Sequence, residues 1–518
     1  MSKKELLAGN EAIGRGAIEA GISYAASYPG TPATEILEYL AKHFDGEVDW
    51  SLNEKIALES AIGASYTGKR AICSMKHVGL NVASDPLMTA PYLGVKGGLV
   101  IVVADDPGAY SSQNEQDTRI YARFAKVPCF EPSDGQEAKD MVITAFELSE
   151  KFGIPVIVRS LTRLSHGMSP VEIGTPRDSN KLNLQKDPEH LLATPSNVIR
   201  LHKVLVEKQP QLVEWGETAG VNKVFKQNQK KGIIASGIAF TYGKEYAEDY
   251  AFLKIGYYPF PEKLIAEFVK DLEEVWVLEE GEPIIEEITR RYSNNVKGKL
   301  TGELNRVGEL GPDCFTWAQR KPVAEPSKPK LPIRPPVLCP GCGHRETYKA
   351  LNAAKPTFVT GDIGCYTLGA NPPLSAMDTC LCMGASISQA TGIAKQGVKR
   401  VAAAIGDSTF LHGGIPALIN AVYNKANITV VIMDNDSTAM TGHQPTPLTG
   451  ITAKGEQGGK IVLEDLCKAC RADTVDVVEP FDGKKTQVVF EQALGSDGVH
   501  VVIARHPCVL VTQRLKKK

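Results

Sequence analysis

Seven short segments carry apolar or small residues at nearly every position: 99–103, 154–158, 232–235, 275–278, 401–405, 428–433 and 501–504. Runs this short and continuous, rich in β-branched residues, predict strands buried on both faces, as in parallel sheets covered by helices. Between them the spacing turns helical. Ile415, Leu418, Ile419 and Val422 fall at i, i+3, i+4 and i+7, which predicts an amphipathic helix. Strand and helix alternate along the whole length, so the expected architecture is α/β, with several parallel-sheet domains.

Six prolines fall among the 16 residues 321–336. Proline fixes φ and removes a donor, so this stretch reads as an extended linker. A weaker break lies near 166–185, where Gly, Pro, Ser and Asn replace periodic apolar residues. The expected domains are 1–174, 175–320 with a charged helical insertion around 188–230, and 337–518 after the linker.

The 518 residues are 43% hydrophobic and 23% charged, with 58 Lys plus Arg against 60 Asp plus Glu. That composition excludes a disordered or fibrous chain, and the balance favours neither nucleic acid nor a membrane surface as partner. No signal peptide follows Met1, and no apolar run is long enough to insert in a membrane. The 11 cysteines in such a chain suggest reduced thiols or metal ligands in a cytoplasmic protein.

Gly406-Asp407-Ser408 ends the strand expected at 401–405 and leads into a helix; the next strand ends in Asp434-Asn435. In a parallel sheet both tips open onto one crevice. An Asp carboxylate and an Asn amide oxygen there can share Mg²⁺, and helix N-terminal amides can take a diphosphate. The plainer alternative is that Asp407 caps a helix and Asn435 a loop. The spacing resembles the thiamine diphosphate motif, GDG followed by an NN pair, from which Ser408 and Asp434 depart. The resemblance implies Asp407, Asn435 and the main-chain carbonyl of Ser437 as Mg²⁺ ligands. Thiamine enzymes also need a carboxyl group against the aminopyrimidine ring, in an apolar site. The segment from Asn53 to Ala64 resembles their pyrimidine-domain helix, which selects Glu54. Glu59, on another face, serves as the structural control. The small residues Ala57, Ala61, Gly63 and Ala64 suit close packing on a partner domain.

Cys339-Pro340-Gly341-Cys342 follows the linker, with Cys365 and Cys508 in glycine- or proline-bearing turns. Four thiolates suit a [4Fe–4S] cluster; a Cys₄ zinc site and buried unligated thiols are the alternatives. Cys380 and Cys382 could compete as ligands, whereas Cys467 and Cys470 read as helix-face thiols.

With these parts assembled, the chain resembles the thiamine-dependent 2-oxoacid:ferredoxin oxidoreductases along nearly its whole length. The marks are Tyr28-Pro29-Gly30-Thr31-Pro32, Met75-Lys76-His77-Val78-Gly79-Leu80-Asn81, the Cys339–Cys342 turn, Gly361-Asp362-Ile363-Gly364-Cys365, Gly406-Asp407-Ser408 and Thr438-Ala439-Met440-Thr441-Gly442-His443-Gln444-Pro445. The resemblance implies pyrimidine, transketolase-C-like and diphosphate domains in that order. It implies thiamine diphosphate, Mg²⁺ and one [4Fe–4S] cluster on Cys339, Cys342, Cys365 and Cys508. Thr31 would contact substrate or cofactor, Glu54 would activate the aminopyrimidine, and Gly442, His443 and Gln444 would line the diphosphate site. Lys76 and His77 suit a substrate carboxylate. Coenzyme A as cosubstrate, a smaller β- or γ-type subunit and an aromatic 2-oxoacid such as indolepyruvate follow from the same resemblance. No two-cluster ferredoxin run follows Cys508, so electrons are expected to leave to another polypeptide, ferredoxin or a different electron-transfer subunit. The rival readings are a non-oxidative thiamine-dependent 2-oxoacid decarboxylase and a non-catalytic electron-transfer or assembly subunit.

Overall fold

The computed structural model describes residues 3–226, 229–246, 250–311, 314 and 336–516. The chain divides into two compact units between residues 328 and 329. The proline-rich stretch 321–336 lies outside the described residues except for Pro336.

The first unit contains β1 (Lys4–Ala8), β2 (Tyr24–Ser27), β3 (Glu47–Trp50), β4 (Ala71–Lys76), β5 (Leu99–Asp105), β6 (Cys129–Phe130), β7 (Val156–Leu161) and β8 (Met168–Glu172). It continues through β9 (Lys223–Lys226), β10 (Lys231–Ser236), β11 (Ala251–Ile255), β12 (Tyr257–Tyr258), β13 (Glu274–Leu278) and β14 (Val296–Lys297). A seven-stranded sheet runs β12-β6-β7-β5-β4-β2-β3. It is parallel except for β12, which pairs antiparallel with β6 and so ties the middle of the sequence to the N-terminal sheet. A five-stranded sheet runs β14-β13-β10-β11-β9, with β9 antiparallel at its edge. β1 and β8 form an antiparallel pair.

The second unit is a six-stranded sheet, β16-β15-β17-β18-β20-β19. Its strands are β15 (Phe358–Gly361), β16 (Thr379–Cys380), β17 (Val401–Gly406), β18 (Ile428–Asp434), β19 (Thr474–Val478) and β20 (Val499–Arg505). All its pairings are parallel. The fold is therefore α/β with several largely parallel sheets, as the apolar runs predict. β5, β17 and β18 are buried at every position, because helices cover both faces. β7 starts at Val156 rather than 154, after Pro155, which has no donor for the ladder.

Three local expectations need correcting. The helix Pro195–Thr218 is not an insertion in the middle region, because Leu205 and Leu212 share one core with Cys73, Leu99 and Ile101 of the N-terminal sheet. The helix Ile415–Tyr423 buries Ala417, Leu418 and Ala421, while Ile419 is 49% exposed. Its narrow alanine stripe packs on the helix Ser386–Lys395. Ala57 and Ala61 are wholly buried in their own sheet's core rather than offered to a partner. Among the described residues no helix is long and apolar enough to cross a membrane.

Candidate active site

In the seven-stranded sheet β2 leads outward to β3 while its other neighbour, β4, leads to β5 on the opposite side. Strand order reverses there, and ligands of open α/β sheets bind beyond the strand tips at such a point. Thr31 follows β2, Lys76 ends β4 and His77 begins the next helix, so three of the expected residues share this crevice. Lys76 is 7% exposed; its ammonium donates to the Ser111 carbonyl, and Ser111 Oγ lies 3.4 Å from the Thr31 carbonyl oxygen. Asp106, at the tip of β5, holds that turn by accepting from the Ser111 N–H (2.8 Å), Ser112 Oγ and Thr162 Oγ1 (2.9 Å). Burial pushes the Lys76 ammonium down to about 8, against the opposing pull of Asp106. Burial alone would raise the Asp106 carboxyl, but the bonds from Ser112, Ser111 and Thr162 bring it below its ordinary value. His77 Nε2 lies 3.2 Å from the Asn114 carbonyl oxygen.

Glu54 opens the helix Glu54–Tyr66, capped by Asn53, whose Oδ1 accepts from the Ile56 N–H at 2.9 Å. The Glu54 carboxyl is buried, 6% exposed, against Gly79. A Cβ at Gly79 would stand 2.4 Å from Glu54 Oε1, so this close approach requires glycine. Glu59 instead faces solvent and pairs with Lys55 at 2.7 Å.

In the second unit β17 and β18 are neighbours in register, Gly406 opposite Met433. Asp407 and Asn435 therefore emerge side by side, and the Asn435 N–H donates to Asp407 Oδ2 at 3.2 Å. Burial, and then the charge of Asp434, holds the Asp407 carboxyl well above the usual carboxylate range. Asn435 Oδ1 and Ser437 Oγ are buried without a hydrogen-bond partner among the described residues. A buried carboxyl with unsatisfied oxygens beside it is a donor set suited to a hard cation. Asp434, where the motif has Asn, is paired with Arg505 Nε at 2.6 Å, and Arg505 grips Glu464 with two bonds of 2.8 Å. Ser408 Oγ meets Thr438 Oγ1 at 2.8 Å. Gln444 turns into its own loop, its amide bonded to Thr441.

One cavity of about 90 Å³ is lined by Cys339, Cys342, Cys365 and Cys508 together with His344, Asn435 and His443. All four expected thiols thus come to one place, from three separate segments. Burial raises the Cys342 thiol and pushes Cys365 up to about 11, each raised further by the other cavity cysteines. His443 Nδ1 lies 3.9 Å from Cys508 Sγ, which places His443 against the thiols. Cys380 and Cys382 are exposed, near Asp362, and do not line the cavity. Among the described residues no three His, Cys, Asp or Glu side chains converge at single-ion spacing. Sequence reasoning missed Asp106, Ser111, His344 and Arg505; only Asp106 carried a usable signal, an acid straight after a fully buried strand.

Residues 362–504 match the family model of the thiamine pyrophosphate enzyme C-terminal TPP binding domain, and residues 15–222 match that of the pyruvate flavodoxin/ferredoxin oxidoreductase thiamine diphosphate-binding domain. The indolepyruvate oxidoreductase subunit IorA of Archaeoglobus fulgidus is 43% identical over 100% of this chain and 88% of its own. This chain belongs to the IorA family. The IorA of Methanothermobacter thermautotrophicus is 42% identical over 98% of this chain and 87% of its own. A 2-oxoglutarate:ferredoxin oxidoreductase from Magnetococcus marinus shares the fold, with TM-score 0.50 and 17% identity over 61% of this chain and 64% of that one. Membership of the IorA family makes the chain a thiamine diphosphate-dependent 2-oxoacid oxidoreductase. Glu54 and Lys76 fall inside 15–222 and Asp407 and Asn435 inside 362–504, whereas Cys339, Cys342 and Cys508 lie outside both.

Proposed function

We propose that this chain is the catalytic subunit of an aryl-2-oxoacid oxidoreductase that converts a substrate such as indolepyruvate, with coenzyme A, into acyl-CoA and CO₂. Cys339, Cys342, Cys365 and Cys508 would hold a [4Fe–4S] cluster, which would supply one-electron transfer toward a partner subunit or ferredoxin. The observation that carries this reading is the single cavity lined by Cys339, Cys342, Cys365, Cys508 and Asn435. It sets four thiols beside the strand-tip asparagine of the diphosphate motif. Four thiols lining one cavity, with Cys342 and Cys365 raised by burial and by the other cysteines, suit an iron–sulfur cluster, which takes them as thiolates.

Thiamine diphosphate, when bound, supplies the nucleophilic carbon and the electron sink that decarboxylation of a 2-oxoacid needs. Asp407, the Asn435 Oδ1 and the Ser437 carbonyl hold Mg²⁺, and Gly406, Ser408 and Gly442–Gln444 form the surrounding loops. Glu54 holds a proton against the aminopyrimidine ring. Lys76 binds the substrate carboxylate, with His77 and Thr31 beside it. The seven-stranded sheet with the helix Pro195–Thr218, the five-stranded sheet and residues 337–518 act as pyrimidine, transketolase-C-like and diphosphate domains. A smaller β- or γ-type subunit completes the enzyme, in line with the subunit naming of the relatives. The eleven cysteines, none in a disulfide, suit the reducing cytoplasm.

Iron and acid-labile sulfide analysis of the anaerobically purified complex tests the reading. About four irons per chain, a brown colour that bleaches on reduction, and indolepyruvate- and CoA-dependent reduction of ferredoxin are expected. A colourless, iron-free protein that releases an aldehyde without an acceptor would be a decarboxylase instead.

A further inference from the structure

His344 touches both halves of the second unit's chemistry. It is the second residue of the helix Gly343–Ala353, directly after the Cys339–Cys342 turn. Its backbone N–H donates toward the Cys342 sulfur, while its ring nitrogen Nε2 lies 3.3 Å from Asn435 Nδ2. The ring is buried, 5% exposed, and braced edge-on by Tyr366, with centroids 5.9 Å apart at 86°. Tyr366 is itself fixed by its hydroxyl bonds to Ile363 and Thr409. The imidazole therefore has little freedom to turn.

An asparagine amide presents an oxygen on one side and an NH₂ on the other, and a cation accepts only the oxygen. Asn435 Oδ1 has no partner among the described residues, and its NH₂ faces His344. That orientation holds only while Nε2 keeps a lone pair, which puts the ring proton on Nδ1. Nδ1 is likewise buried without a partner among the described residues, so no bond there pulls the proton the other way.

We propose that His344 is a positioning residue: it accepts from the Asn435 amide and so turns Asn435 Oδ1 toward the cation that anchors the diphosphate. Because the same residue bonds Cys342 through its backbone, it also joins the cation site to the cysteine cavity by one rigid turn. This inference rests on the thiamine and cluster reading above. Partners that orient a metal ligand typically change metal affinity by about 10–100-fold when removed.

The test uses the full-length protein, purified anaerobically. Thiamine diphosphate binding with Mg²⁺ is measured by calorimetry, and iron is counted in the same samples. H344L removes the acceptor at similar volume, whereas H344Q returns an acceptor oxygen. The expected result is at least about tenfold weaker binding in H344L at full iron content, with H344Q within about threefold of wild type. Wild-type affinity in H344L overturns the proposal. So does H344Q binding no better than H344L, since the acceptor is then not what matters. So does loss of iron in both variants together with binding, since His344 then merely supports the cysteine turn. If the wild-type protein itself fails to bind thiamine diphosphate with Mg²⁺, the functional reading falls and takes this inference with it.

Discussion

Lys76 and Glu54 owe their chemistry to what surrounds them. Lys76 is pushed down to about 8 by burial at the tip of β4. The ammonium exists below that value, so carboxylate binding should be present at neutral pH and lost as pH rises through it. The expected kcat/KM for the 2-oxoacid falls about tenfold per pH unit above 8, because kcat/KM reports the free enzyme. K76M should lower kcat/KM by roughly ten- to a hundredfold and flatten that limb; a wild-type limb near 10 would place the charge elsewhere. At Glu54 the control is steric. G79A pushes a methyl into the carboxyl, 2.4 Å from Oε1. It should cut turnover at least about tenfold through displacement of Glu54 while costing only about 1–3 kcal/mol of stability. E59Q, on the exposed face, should leave steady-state turnover unchanged. The choice between Glu54 and Glu59 was open to sequence only through a motif, because burial of a helix-terminal glutamate depends on a glycine 25 positions away.

Elements explain which parts of the molecule were legible and which were not. β5, β17 and β18 are buried on both faces and read directly as apolar runs. β2, Tyr-Ala-Ala-Ser, has no β-branched residue, and β12 and β16 span two residues each, so periodicity carries no trace of them. Leu205 and Leu212 on the helix Pro195–Thr218 share a core with Cys73, Leu99 and Ile101, more than a hundred positions away, a long-range choice no local pattern holds. The four cysteines were legible as one set only through the resemblance, not from their spacing. Cys365 follows β15 and Cys508 follows β20, and those strands stand apart in the sheet with β17 and β18 between them. Only the parallel order of the tips brings both to the Cys339–Cys342 turn. The consequence is selective. C365S and C508S should each lose most of the iron, whereas C380S and C382S, exposed and outside the cavity, should keep it, as iron and sulfide per chain would register. Retention of full iron in C508S would remove it from the ligand set.

At the scale of the whole first unit, the two sheets are joined by buried charge. Arg119 bonds Asp117 and Glu279, and Arg159 bonds Asp105 and Glu131, with all of these side chains at or near zero exposure. Both guanidiniums also donate to the Glu280 carbonyl oxygen at the tip of β13. Asp105 and Asp106 are consecutive, so the seam continues into the turn that holds Lys76. Five buried carboxyls, Asp105, Asp117, Glu131, Glu279 and Glu280, face two guanidiniums and Lys299, and the excess must be met by protonation. Burial raises Glu279, and Glu280 shares that excess. Burial pushes its carboxyl up to about 7, although both oxygens accept from the Leu310 N–H at 3.0 and 3.1 Å. A carboxyl whose folded value lies above its unfolded one contributes stability that is complete below the unfolded value and lost as pH rises through the folded one. Between pH 4.5 and 7 the first unit should therefore weaken, because folded Glu280 keeps its proton while the unfolded chain sheds it. E280Q keeps an acceptor for Leu310 and cannot ionise. At pH 8 it should match or exceed the wild type by up to about 2 kcal/mol in denaturant unfolding, and at pH 5 it should show no such gain. Equal destabilisation at both pH values would mean that Glu280 is ionised and paired throughout, and that the seam balances its charge without a proton.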